Sequence, residues 1–320
     1  MTFSGPPRMD TNIVILDAKT LGDDIDLGAL ERLGSLTVFP NTLPGETARR
    51  IHGADIIITN KVVIDRQVMD ANPSLKLICV AATGMNNIDR EHAGLRGIVV
   101  KNVAGYSTES VVQMTFSHVL FLLNHHAYYD EFARTRWQGA DIFTHTARPF
   151  FELAGKRWGI IGLGTIGRRV AETAAAFGCE VVYYSTSGRN NTDDYQRVEL
   201  DELMRTSSSI SVHAPFNSHT SNLIDYPVLS LMQDGAIIVN VGRGGIINEA
   251  DLARILDQRT IYAGLDVVTR EPIEPANPLL HIKNRDRLSI TPHIAWTSIE
   301  ARQRLISSIA DNIKHFLSGT

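Results

Sequence analysis

Three short segments of the chain carry polar residues at the ends of apolar runs, where a core would not want them. Asn240-Val-Gly-Arg243-Gly-Gly closes the run 236–241. Leu265-Asp266-Val-Val-Thr-Arg-Glu271-Pro closes 262–267, and Thr291-Pro-His293-Ile-Ala-Trp296 follows Leu288. Singly, each has a mundane explanation. Arg243 is a surface arginine, Glu271 a turn residue before proline, and His293 one of eleven histidines, hydrogen-bonded at a strand end. Together they make a site for delivering a hydride to a ketone beside a carboxylate. An arginine fork grips the carboxylate in two places and holds the carbonyl in register. A histidine, which can work near neutral pH, donates the proton to the carbonyl oxygen. A glutamate orients the imidazole and stabilises its charged form.

The elements that must position this chemistry are an alternation of strands and helices. Trp158 to Ile161 is an apolar strand running into Gly162, Gly164 and Gly167, followed by helical character over Arg168 to Phe177 and a second strand, Val181 to Tyr184. Strand, G-x-G-x-x-G, helix, strand is the setting in which this motif binds a dinucleotide. Gly162 permits the turn, Gly164 lets the pyrophosphate approach the backbone, and Gly167 lets the helix pack closely. Thr165 and Ile166 complete the loop, and the free N–H groups of the helix N-terminus that follows face the phosphates. Further strands are expected at 209–213, 236–241, 262–267 and 288–293. An earlier set, Asn12 to Leu16, Leu36 to Phe39, 55–60, Leu75 to Ala82 and Ile98 to Lys101, contains no such glycine motif. Strands alternating with helices at this spacing imply parallel sheets covered on both faces.

In NAD-specific sites an acid about 20 residues after the first glycine binds the ribose hydroxyls. Here position 185, 23 residues after Gly162, is serine, within Ser185-Thr186-Ser187-Gly-Arg189. Hydroxyls and a guanidinium can bond a 2′-phosphate that a carboxylate would repel, so NADP is favoured over NAD. The other reading is a polar turn in an enzyme that takes either cofactor.

Composition is that of an ordinary soluble globular chain, with 320 residues, 43% hydrophobic and 21% charged, enough for two domains. The net charge of −4 and the scattered Lys and Arg give no stripe for nucleic acid. Cys79 and Cys179 read as small buried hydrophobes, not as a disulfide framework or metal ligands. Residues 1–10 read as a loose tail without an apolar signal core, and no stretch suits a membrane, so a cytoplasmic location is expected. Ser107 to Asn124 predicts a helix buried all round. Residues 125–152 lose periodicity but carry, among others, His125, His126, Tyr128, Tyr129, Trp137, Phe143, Phe150 and Phe151, which predicts an arm packed on a second subunit. The terminal helix, Thr297 to Leu317, is expected to open with a capping box of Thr297 and Glu300 and to return to the first set of strands.

Over roughly residues 12–317 the chain resembles the D-isomer-specific 2-hydroxyacid dehydrogenase family. The resemblance is carried by Gly162-Leu-Gly-Thr-Ile-Gly167, His213-Ala-Pro215, Asn240-Val241-Gly242-Arg-Gly, Gly264-Leu-Asp-Val, Glu271-Pro and Thr291-Pro-His-Ile. Their order and spacing, 28 residues from Arg243 to Glu271 and 22 more to His293, are more specific than any one motif. Gln113 stands where the family often carries an acid. The resemblance implies that Arg243, Glu271 and His293 are catalytic and that Asp266 contacts the nicotinamide end. His213, Pro215, Val241 and Gly242 lie along the dinucleotide, and the backbone of Thr83 and Gly84 helps Arg243 and His293 hold the substrate. The implied fold is α/β with two doubly wound parallel-sheet domains. One is a Rossmann cofactor domain over 105–290, through which a homodimer forms; the other is a flavodoxin-like substrate domain over 1–104 and 291–320. The segment Thr291 to Trp296 most resembles the glycerate dehydrogenase, or hydroxypyruvate reductase, branch, which implies reduction of hydroxypyruvate or glyoxylate. The alternatives are a D-lactate or other 2-keto acid reductase of the same family, and a non-catalytic NAD(P)-sensing regulator on this fold. Glu271 argues against a formate dehydrogenase, whose histidine has an uncharged partner.

Overall fold

A computed structural model describes residues 11–319, so the expected tail at 1–10 lies outside the described residues. The chain divides into two compact units, residues 1–107 with 297–320 and residues 108–296.

In the first unit, β1 (Asn12–Ile15), α1 (Gly28–Glu31), β2 (Ser35–Val38), α2 (Thr47–Arg50), β3 (Ile56–Thr59), α3 (Arg66–Asp70), β4 (Leu77–Val80), α4 (Arg90–Leu95) and β5 (Val99–Lys101) alternate. The strands form a parallel sheet of order β2-β1-β3-β4-β5. That is the flavodoxin-like order. β3 and β4 are buried at every position, as strands covered on both faces must be. The C-terminal helix, Ile299–Ser318, belongs to this unit and buries Leu305, Ile306, Ile309 and Ile313. Its cap is Ser298, whose side chain accepts from the Ala301 N–H, in place of the expected Thr297.

The second unit opens with α5 (Thr108–Leu123) and α6 (His126–Thr135). It continues with β6 (Arg157–Ile161), α7 (Thr165–Ala176), β7 (Glu180–Tyr184), β8 (Gln196–Arg197), α8 (Leu200–Thr206), β9 (Ser209–Val212), α9 (Tyr226–Leu229), β10 (Ile237–Asn240), α10 (Glu249–Gln258), β11 (Tyr262–Leu265) and β12 (Leu288–Ile290). Its parallel sheet runs β12-β11-β10-β9-β6-β7-β8. Counted within the unit this is 3-2-1-4-5-6 with a seventh strand added, the Rossmann order. Trp158 in β6 is wholly buried, packs on Phe116 at 4.7 Å and donates from Nε1 to Ser211 Oγ at 3.0 Å. A buried ring of this size is worth about 3–5 kcal/mol on truncation.

Several expectations need correction. Helix α5 is not buried all round, because Gln113, Ser117 and Phe121, four residues apart, form a solvent-facing stripe. The segment 125–152 is not structureless. Helix α6 is exposed along its length and held by an Asp130–Arg134 pair, and the following chain folds back onto it. The His145 ring stacks on Phe132 at 3.7 Å, and Tyr128 and Tyr129 bond His145 and Arg148. Helix α7 begins at Thr165 instead of Arg168, because Gly167 serves packing and does not break the helix. The boundary also moves. Residues 291–296 belong to the second unit, since the Ile294 and Ala295 N–H groups donate to Asp266.

Candidate active site

The sheet order of the second unit sets most of the candidate residues in a row along the carboxyl ends of its strands. From β7 across β6, β9, β10 and β11 to β12 come Ser185–Arg189, Gly162–Gly167, His213–Pro215, Val241–Arg243, Asp266 with Glu271, and His293. At about 4.8 Å per strand this edge is roughly 24 Å long. Strand order reverses between β6 and β9, and open α/β sheets bind ligands at that point.

At the reversal the three glycines differ. Gly162 sits at φ +97°, and a Cβ there would lie 2.8 Å from the Ala214 nitrogen, so the chain must be bare to pass His213-Ala214. Gly164 caps α7 and faces open space. A Cβ on Gly167 would collide with the Gly162 carbonyl oxygen. Thr165 is exposed and Ile166 half-buried at the mouth of α7. Two orphaned polar groups adjoin this loop. Ser185 Oγ is buried without a partner, and both ring nitrogens of His213 are buried and unpartnered. Burial pushes the His213 imidazole down to about 3, so it is neutral at physiological pH.

After β7 the chain turns sharply, with the Gly188 N–H bonding the Ser185 carbonyl and the Arg189 N–H bonding Ser187 Oγ. Thr186 is half-exposed; Ser187 and Arg189 are exposed. Arg168 on α7 and Arg197 on β8 bond the chain just past this turn, at the Asn191 carbonyl and the Asn191 side chain, each at 3.2 Å. Three arginines therefore belong to or bond the stretch 185–191, where the sequence singled out one.

At the other end, His293 Nδ1 lies 2.6 Å from Glu271 Oε2, while Glu271 Oε1 accepts from the Val268 N–H at 3.3 Å. Both side chains remain partly exposed, at 26% and 34%. His293 adopts φ +55°, a left-handed conformation unusual for a residue with a Cβ. It is held there by bonds from its N–H to the Asp266 and Thr291 carbonyls. Asp266, 1% exposed, collects the Thr291 hydroxyl at 2.6 Å and the N–H groups of Ile294 and Ala295 at 2.8 Å each. Its pKa is raised, chiefly by burial. The structure thus shows Asp266 as the staple of the His293 loop.

Arg243 stands on a loop clamped by buried Asn240, whose amide donates to the Arg243 carbonyl at 2.8 Å and accepts from the Gly242 N–H at 3.0 Å. Val241 is buried beneath it, and Gly242 lies close to the Val212 and Ala214 carbonyls. The Arg243 side chain is exposed and bonds the Gly242 carbonyl, which leaves most of its donors facing outward. A Cβ on Gly244 would collide with the Val268 carbonyl, so the Arg243 loop rests directly on the Glu271 loop. Glu249 braces the latter from α10, accepting from the Thr269 N–H and hydroxyl and from Asn277. The bracing by Glu249 and Asn277 left no sequence signal, because the partners are 20 and 28 residues apart and outside every motif. Thr83 and Gly84 follow β4 in the first unit. There the Thr83 hydroxyl bonds the Val103 carbonyl, and its own carbonyl accepts from Asn102. Among the described residues no group of His, Cys, Asp and Glu is placed to hold a metal ion.

Residues 116–295 match the sequence model of the NAD binding domain of the D-isomer specific 2-hydroxyacid dehydrogenases. A hydroxypyruvate reductase from Blautia hydrogenotrophica is 36% identical over 96% of this chain and 97% of its own length. A glycerate dehydrogenase from Methylorubrum extorquens is 34% identical over 86% of this chain and 87% of its own. Among solved structures, an acyclic imino acid reductase in complex with NADPH and D-Arg superimposes with a TM-score of 0.84 at 28% identity, over 97% of this chain and 98% of that one. The chain belongs to the D-isomer specific 2-hydroxyacid dehydrogenase family, and with it to the oxidoreductases that carry an NAD-binding domain.

Proposed function

We propose that this enzyme reduces a small 2-keto acid, hydroxypyruvate or glyoxylate, to the D-2-hydroxy acid with NADPH held on the second unit. The observation that carries the reading is the 2.6 Å His293–Glu271 pair, with the Arg243 loop packed against the Glu271 loop. The hydroxypyruvate reductase and glycerate dehydrogenase at 36% and 34% identity support the substrate class.

The residues fit a dinucleotide, since the open approach at Gly164 and the orphaned atoms of Ser185 and His213 are what a bound phosphate chain and sugar would complete. Gly162 to Gly167 would hold the pyrophosphate, with Ser185, Thr186, Ser187 and Arg189 at the 2′-phosphate. His213, Pro215, Val241, Gly242 and Asp266 would lie along the chain toward the ring. When bound, the nicotinamide supplies the hydride. Arg243 grips the substrate carboxylate with its outward donors. His293 holds its Nδ1 proton on Glu271 and gives the Nε2 proton to the carbonyl oxygen as the alkoxide forms. Glu271 keeps the ring aligned and favours its charged form before transfer.

The 2′-phosphate reading deepens with Arg168 and Arg197, because Ser185 to Thr192 holds no acid while three arginines belong to or bond it. We place the enzyme in the cytoplasm, where its free thiols Cys79 and Cys179 stay reduced; burial raises them to about 12 and about 11. The test is kcat/KM for NADPH against NADH over a panel of 2-keto acids, in wild type and Arg189→Ala. NADPH should be preferred, hydroxypyruvate or glyoxylate should lead the panel, and the substitution should weaken NADPH while sparing NADH. A preference for NADH would remove the 2′-phosphate reading. Retained cofactor binding with no turnover across the panel would favour the non-catalytic regulator.

A further inference from the structure

Helix α5 carries one imidazole on its buried, mostly apolar face. His118 is 2% exposed beside Val119, Leu122 and Phe116, and it fits because Gly264 in β11 has no side chain; a Cβ there would lie 2.6 Å from the His118 Cβ. Its ring makes two bonds, both to the strand and loop that lead to His293. Nδ1 lies 3.0 Å from Ser289 Oγ, and Nε2 lies 3.2 Å from Thr291 Oγ1. The Thr291 hydroxyl has one proton and gives it to Asp266 at 2.6 Å. It must therefore accept from His118, which fixes the ring as the Nε2–H tautomer with Ser289 donating to Nδ1. Burial, which lowers the His118 pKa to about 4, keeps this neutral form in place at physiological pH. Further along the same helix, Ser110 Oγ bonds the Ala295 carbonyl at 2.6 Å. The loop from Ser289 to Ala295 is thus pinned to α5 on both sides of His293.

A leucine at position 118 would satisfy the core without the cost of desolvating a polar ring. Departures from the locally stable choice are expected where a site needs them. We infer that His118 is a positioning residue, which acts through Thr291 and Asp266 to set the height and rotation of the loop that presents His293 to the substrate carbonyl. This rests on the reading of His293 as the proton donor. His118 itself touches neither substrate nor cofactor in this scheme.

The test compares His118→Leu, His118→Gln, Thr291→Val and His293→Gln, each shown to be folded by its melting temperature. For each, kcat and KM are read with hydroxypyruvate and NADPH, and NADPH affinity by fluorescence titration. A misplacement of the donor costs roughly 10- to 100-fold in turnover. His118→Leu should lose that much in kcat, with KM and NADPH affinity changed by no more than about twofold, since binding groups are untouched. His118→Gln, whose amide can still donate to Thr291, should recover most of the loss. Thr291→Val breaks the same chain one bond later, should match His118→Leu, and carries the test if the leucine variant does not fold. In spectra of protein labelled with nitrogen-15 at histidine, the Nδ1–H signal of His293 should shift in both. Turnover of folded His118→Leu, or failing it Thr291→Val, within about threefold of wild type, or a glutamine variant as slow as the leucine one, would overturn the inference. If His293→Gln is inactive while the other variants are unaffected, the inference alone fails. If His293→Gln keeps its turnover, the reading of His293 fails and this inference falls with it.

Discussion

Histidine chemistry in this chain is set by where each ring sits. His293 is half-exposed on a loop, with a carboxylate on Nδ1. His118 and His213 are enclosed, with pKa values lowered by burial to about 4 and about 3. Because these two bind protons more readily when unfolded, near 6.5, their contribution to stability is full above pH 6.5. It is lost as pH falls toward their folded values. For His118 the loss amounts to roughly 3 kcal/mol once protonation is complete. Urea unfolding at a series of pH values from 7 to 4 should show the wild-type midpoint falling, with a smaller fall in His118→Leu. Parallel curves for the two proteins would show that His118 is not held neutral in the folded state.

Among the elements, the turn from β6 into α7 is the most sharply specified. Gly167→Ala would drive a methyl group into the Gly162 carbonyl oxygen, forcing helix and strand apart. The variant is expected to lose about 1–3 kcal/mol of stability and most of its NADPH affinity, read by thermal unfolding with and without cofactor. Unchanged binding would mean that the helix N-terminus does not sit against the phosphates. This turn was legible in the sequence because apolar run, glycine spacing and alanine-rich helix all pointed the same way, and most strands were legible for the same reason. The sheet order then carried the quoted motifs of the second unit to one edge. What was not legible depends on partners distant in sequence. Glu249 and Asn277 brace the Glu271 loop without any motif, and His118 belongs to no motif and meets Ser289 and Thr291 more than 170 residues away. Helix α6 was hidden because its aromatic rings face His145 and Arg148 in the returning chain and not a core. Ser298 took the cap from Thr297 because either hydroxyl suits the pattern, and only backbone geometry decides.

For the whole molecule, the second unit carries the candidate site residues and also an exposed apolar segment. Its segment 125–152 leaves Trp137, Ile142, Phe143 and Phe150 between 51% and 87% exposed, an apolar surface of the kind that pairs with a second copy. A homodimer through this unit is expected by light scattering at micromolar concentration, and a monomer would contradict it. No helix among the described residues is long and apolar enough to cross a membrane.

The central claim, that His293 supplies the proton while the glycine turn only holds the cofactor, is tested most directly by His293→Gln. In one preparation, the steady-state rate of hydroxypyruvate reduction and the dissociation constant of NADPH would both be measured. General acid catalysis contributes about 10²–10⁴-fold, so turnover should fall by at least two orders of magnitude while cofactor affinity stays close to that of wild type. Turnover within a few-fold of wild type, at equal cofactor binding, would contradict the account.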